Sequence, residues 1–156
     1  MKLSRNLSLS EMTKSNTATR LGISNQPTDE HVSNMKELAV NIFQPIREHF
    51  GSPIYISSGY RGNALNKAIN GSKSSQHCKG EAIDIDMDYK GGPSNADVFT
   101  YIKDNLKFDQ LIWEFGTDNN PNWVHVSYDT EGAQRKQILI AYKNDKGKTK
   151  YKFYEW

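Results

Sequence analysis

The sequence predicts a single α+β domain of 156 residues, with helices packed on one face of a central, mostly antiparallel sheet. Three observations carry this. Apolar residues recur at helical spacing between positions 32 and 50. Short alternating runs, each the length of a strand, are spaced between 53 and 142. Clusters of Gly, Pro, Asn and Asp separate the runs. The domain, 1–156, divides into an N-terminal helical segment (5–50), a core that carries the chemistry (53–142) and a strand tail (143–156).

Residues 6–22 read as two short helical turns. Ser8 and Glu11 have capping-box spacing, and Leu21-Gly22 is a stop. Thr28 then caps a long helix whose apolar face is Val32, Met35, Leu38, Ala39, Ile42, Phe43, Ile46 and Phe50. Pro45 kinks or restarts it, and Gly51-Ser52-Pro53 ends it. A strand over 53–57, a turn over 58–62 and a short helix over 63–69 follow. Residues 82–86 alternate as a strand. Ser94 caps a helix that turns Val98, Phe99, Ile102 and Leu106 inward. Strands follow over 108–115, 123–128 and 137–142, and residues 151–156 add an edge strand.

Composition excludes several classes. A net charge of +2 is too small to argue for nucleic acid, and acidic residues interrupt the lysines of the tail (Lys143, Lys146, Lys148, Lys150, Lys152). No apolar run approaches the roughly 18–20 residues of a membrane span. The first residues, MKLSRNLSLSEMTK, lack an apolar stretch, so no secretory signal is expected. The single cysteine, Cys78, rules out an internal disulfide and a cysteine-rich metal site. A metal here has to be held by His and carboxylate.

The stretch Ser75-x-His77-x-x-Gly80-x-Ala82-x-Asp84 offers such ligands. A histidine and a carboxylate flank a glycine turn at the mouth of a strand. His125, which shares a strand face with Trp123 and Ser127, is the natural third. Catalytic zinc takes three protein ligands and leaves one position open. Two neutral imidazoles and one carboxylate leave a single Zn2+ with net positive charge. Glu114, near the end of the strand that pairs with the His125 strand, is placed to act as base; the competing view is a solvated strand-end charge. Cys78 reads as a partly buried thiol rather than a ligand. Asp86 reads either as an orienting carboxylate or as a loop cap. His31 and His49 have no partner at ligand spacing and read as surface or helix-end histidines.

With Ser58-Gly59-Tyr60-Arg61 and Leu65-Asn66 upstream and Trp123-Val124-His125-Val126-Ser127 downstream, the chain resembles zinc D,D-peptidases of the D-Ala–D-Ala carboxypeptidase family. That group is similar to VanX dipeptidases, phage L-alanyl-D-glutamate endopeptidases and the hedgehog domain. The opening stretch and Gln44-Pro45-Ile46-Arg47 look like a phage-type branch. The resemblance covers roughly residues 5 to 130. It implies a zinc cleft held by His77, Asp84 and His125. It also implies a role for Arg61 in clamping a peptide carboxylate or the developing oxyanion, with Ser75 and Gln76 bordering the substrate. Many relatives place the base three residues before the last histidine, where this chain has Asn122. The hedgehog-like context of residues 109–114 instead favours Glu114, with Asp118 next in line. The implied substrate is a peptidoglycan stem peptide or a D-Ala-terminated peptide. The implied protein is a monomer, neither bound to nucleic acid nor inserted in a membrane, acting on the wall after release as a phage lysin does or on wall precursors in the cytoplasm. The alternative class is a zinc-containing module that binds cell-wall peptides without cleaving them.

Overall fold

The structure, a computed structural model, describes residues 1–155. An antiparallel pair, β1 (Lys2–Ser4) and β2 (Leu7–Ser8), opens the chain, and the two short helices expected over 6–22 follow it. Ser8 caps α1 (Leu9–Thr13) with the capping box that its spacing to Glu11 predicts. After α2 (Asn16–Leu21) come α3 (Asp29–Leu38) and α4 (Gln44–Phe50). A π-helical turn, Ala39–Phe43, joins them. Pro45 is the cause available for it. A proline has no amide hydrogen to donate to the carbonyl four residues back, and its ring crowds that turn; a wider turn relieves both.

The core follows as β3 (Ile56–Ser58), α5 (Asn63–Ala68), a 3₁₀ turn (Gln76–Lys79), β4 (Ala82–Ile85), α6 (Asn95–Asn105), β5 (Gln110–Glu114), β6 (Trp123–Ser127), β7 (Gln137–Lys143) and β8 (Thr149–Phe153). The strands form one six-stranded sheet in the order β3-β4-β6-β5-β7-β8. All neighbours are antiparallel except β5 and β7, which run parallel. The α+β architecture with a mostly antiparallel sheet is thus as the sequence predicts. The strand expected at 53–57 starts three residues later. The expected edge strand over 151–156 lies at Thr149–Phe153; its last residue, Trp156, is outside the described residues.

Strand alternation splits the sheet into two chemistries. Ile83, Ile85, Leu111, Trp113, Val124 and Val126 face the helices and pack with Met35, Leu38, Ile42, Phe43, Phe99 and Ile102 into one buried core. The intervening residues Asp84, Ile112, Glu114 and His125 all line a cleft on the opposite face. Among the described residues no helix is long and apolar enough to cross a membrane.

Candidate metal centre

Two glycines set the backbone beneath the site. Gly59 lies against the α1 end: Tyr60 donates its amide to the Met12 carbonyl at 2.7 Å, and a Cβ on Gly59 would stand 2.5 Å from that oxygen. Gly80 closes the 3₁₀ turn with φ +77°, and a Cβ there would meet the His31 carbonyl at 2.7 Å. Glycine, having no Cβ, is the residue type that tolerates a left-handed backbone with so close an approach. Between them, Ser75 caps the 3₁₀ turn by accepting the His77 amide at 3.2 Å.

His77, which is 2% exposed, projects from this turn toward β4. Its Nδ1–H donates to the Gly59 carbonyl at 2.7 Å, since a carbonyl only accepts. Nε2 therefore faces the Asp84 Oδ1, 3.3 Å away, and the His125 Nδ1 lies 3.0 Å from the same oxygen. Asp84 and His125 are directly opposite each other on β4 and β6. The three ligand atoms all lie within 4.8 Å of one another and can hold a metal ion. The donor set fits one. In the neutral imidazole that metal ligation requires, Nε2 carries a lone pair aimed at a carboxylate oxygen. Two acceptors so placed call for a cation between them. Burial acts to raise the Asp84 pKa, but the two histidines beside the carboxylate, His77 and His125, outweigh it. The carboxyl is held below the usual range and is ionised for ligation.

Glu114 ends β5, one strand beyond His125. It is 7% exposed, and its carboxylate accepts no hydrogen bond among the described residues. Burial pushes its pKa up to about 7; His125 pulls against the rise and Asp84 adds to it. The next two residues, Phe115 (φ 57°) and Gly116 (φ 75°), turn the chain sharply out of the strand. The Asn122 amide donates to the Glu114 carbonyl at 2.9 Å, so Asn122 braces the backbone of Glu114. Asp118 lies in the loop beyond, away from the ligand cleft and along a separate groove on the sheet edge.

Arg61 lines the same cleft, which measures about 580 Å³. Its amide donates to the His77 carbonyl at 3.1 Å, and its Nη2 donates to Ser75 Oγ at 3.3 Å. Its Nε is buried without a partner. Ser75 thus links the arginine to the turn that carries His77. Gln76 lines the cleft, but its amide is engaged: it donates to the Asp109 Oδ2 at 3.2 Å. Hydrogen bonds from Arg135, at 2.9 and 2.8 Å, hold the Asp109 carboxyl below the usual range.

The other residues weighed from sequence take structural places. Asp86 caps the loop after β4, accepting from the Asp88 amide and the Asn95 side chain. Ser127 is fully buried and accepts the Gln110 amide, joining β5 to β6. The Cys78 thiol is pushed up by burial, against the pull of Arg61, and is not in the ligand group. His31 completes a capping box with Thr28, and His49 stacks on Tyr101 at 4.1 Å.

Thr149 and Tyr151, from the tail that the sequence set apart from the core, line the cleft as well. Burial raises the Tyr151 phenol, as do the carboxylates of Glu114 and Asp84. Their alternation with Lys150 and Lys152 signals a shared strand face. Nothing local signals which strand they lie beside. In comparisons with known proteins, a family model described as Peptidase M15 matches residues 5–127. No curated protein matches the chain.

Proposed function

The chain belongs to the peptidase M15 family of zinc metallopeptidases, and from that premise we propose that it hydrolyses stem-peptide bonds of peptidoglycan at a D-residue-containing linkage. The observation that carries this is the convergence, in one cleft, of a His/Asp/His ligand group with a buried carboxylate that neither ligates nor pairs.

In this proposal His77, Asp84 and His125 hold one zinc ion. Zinc in such a site supplies Lewis acidity to the scissile carbonyl and to a water. Glu114 is the general base. Its carboxylate takes the proton of the attacking water and returns it to the departing amine; a pKa raised toward neutrality suits both transfers. Arg61, which lines the cleft, clamps the substrate with its guanidinium, and Ser75 holds that guanidinium in place. Gln76 lines the substrate path from a side chain anchored on Asp109.

An arginine lining the cleft beside the ligand group favours a substrate with a carboxylate near the scissile bond, as in D,D-carboxypeptidase action. An endopeptidase of the kind phage lysins use is favoured by the openness of the cleft beyond Glu114, where it runs on to β8. Mass spectrometry of defined muropeptides after digestion, with and without chelator, separates the two by the bond cut. One stem-peptide bond should be cut, and chelator should stop the reaction. Zinc-loaded protein that cuts no muropeptide, or cutting that chelator leaves undiminished, overturns the proposal.

A further inference from the structure

The ligand site occupies one part of a longer path across the sheet. The strand order after β4 is β6, β5, β7, β8, so the cleft face extends four strand spacings from Asp84 to β8. At about 4.8 Å each, that is about 19 Å, the length of five or six extended residues. Pairing fixes who stands where along it. Glu114 pairs with Ala141 on β7, and Ala141 pairs with Tyr151 on β8. The row across the sheet is therefore Glu114, Ala141, Tyr151. The middle residue is a methyl group, fully buried, which leaves no side chain standing between the tyrosine and the glutamate. Tyr151 is 55% exposed, lines the ligand cleft, and its hydroxyl makes no hydrogen bond among the described residues. It senses the carboxylates of both Glu114 and Asp84. An aromatic donor left without a partner, at the far side of the base from Arg61, is placed to receive a ligand. The hairpin that carries it lies beyond the 5–127 match to the family.

We propose that Tyr151 is a substrate-binding residue of this cleft: its hydroxyl donates a hydrogen bond to a carbonyl oxygen of the peptide half that lies beyond Glu114, away from Arg61. This rests on the peptide-hydrolase function proposed above and extends it to longer peptides. Arg61 and Tyr151 hold opposite ends of one extended chain, with the bond to be cut between them. The tail strand supplies the second hold, so the chain recognises a stem peptide by length as well as by its terminus.

The test compares Tyr151→Phe and Tyr151→Ala with the parent on a stem pentapeptide and on versions of it shortened from either end. Tyr151→Phe should raise KM for the pentapeptide about tenfold, the worth of one hydrogen bond, with kcat changed far less. The penalty should shrink for peptides shortened from one end and persist for those shortened from the other. A penalty equal for all lengths marks a merely structural tyrosine and overturns the inference, as does an unchanged KM in both variants. If the parent cleaves none of these peptides, calorimetric titration of the pentapeptide into zinc-loaded Glu114→Gln protein, with and without Tyr151→Phe, still decides. Binding that Tyr151→Phe weakens supports Tyr151 while the hydrolytic function fails. Equal binding by the two proteins overturns Tyr151 alone, and no binding by either overturns both.

Discussion

In the proposed mechanism Glu114 is the residue on which catalysis turns. A carboxylate buried beside Asp84 without a hydrogen-bond partner is costly to ionise, and that cost is what makes it a base near neutrality. Glu114→Gln should lower kcat by about 10²–10⁴-fold, the usual worth of general acid–base catalysis. Bound zinc, measured by atomic absorption, should be unchanged, because Glu114 lies outside the ligand group. The same carboxylate gives the metal-free protein a pH signature. Its folded pKa of about 7 lies above the ordinary 4.5, so folding favours the protonated form. The associated stability is whole below pH 4.5 and is lost as the pH rises through 7. Denaturant melts of chelated wild type and Glu114→Gln should therefore diverge with rising pH, with wild type losing about 3 kcal/mol relative to the variant by pH 8. Asp84 has the opposite sign and a separate window, since its depressed pKa contributes stability that is lost only as the pH falls below 3.8. Hydrolysis should rise with pH through the Glu114 titration, at or below about 7 once a cation sits nearby.

The 3₁₀ turn Gln76–Lys79 shows how a short element holds a ligand. Ser75 caps it, Gly59 receives the ring of His77, and Gly80 releases the chain into β4. Replacing Gly80 with alanine asks for a strained left-handed backbone and drives a methyl into the His31 carbonyl on α3. A cost of about 1–3 kcal/mol follows, and the displaced His77 should bind zinc more weakly. A thermal melt and a competitive zinc titration of Gly80→Ala check both. Unchanged zinc affinity would show that the turn positions the ring less strictly than its hydrogen bonds suggest. The same elements show what local sequence carries. The spacing of His77 and Asp84 around a glycine, and the parity of Trp123, His125 and Ser127 on their strand, are local patterns, and the structure agrees with both. The partner of Gln76 is not local. Asp109 lies 33 residues away and reaches Gln76 only because β5 and the 3₁₀ turn meet at the cleft edge.

In the whole molecule, a metal held by this group would tie a turn to two strands of the sheet. His77 comes from a turn, Asp84 from β4 and His125 from β6. An ion that binds only the folded arrangement stabilises all three together, by about 2.7 kcal/mol at a free concentration of one hundred times Kd. For a chain of this size, chelation should lower Tm by about 5–10 °C, and re-added zinc should restore it; a Tm indifferent to chelator would mean that the site holds no metal in solution. At the far edge of the sheet, β8 carries Lys150 and Lys152, charges that discourage a further strand from pairing there.

What the linear chain encodes is the chemistry of each ligand and the face on which it stands. Those follow from residue identity and from the strand period of two, which need no knowledge of neighbours. The fold adds what depends on strand order. β7 enters parallel beside β5, which places a methyl next to Glu114 and brings Tyr151 from the tail into the cleft. It also sets the hydrogen bond from His77 to Gly59 that leaves Nε2 facing Asp84. Pairing between distant strands is chosen by burial of the whole core, so no local window of sequence contains it.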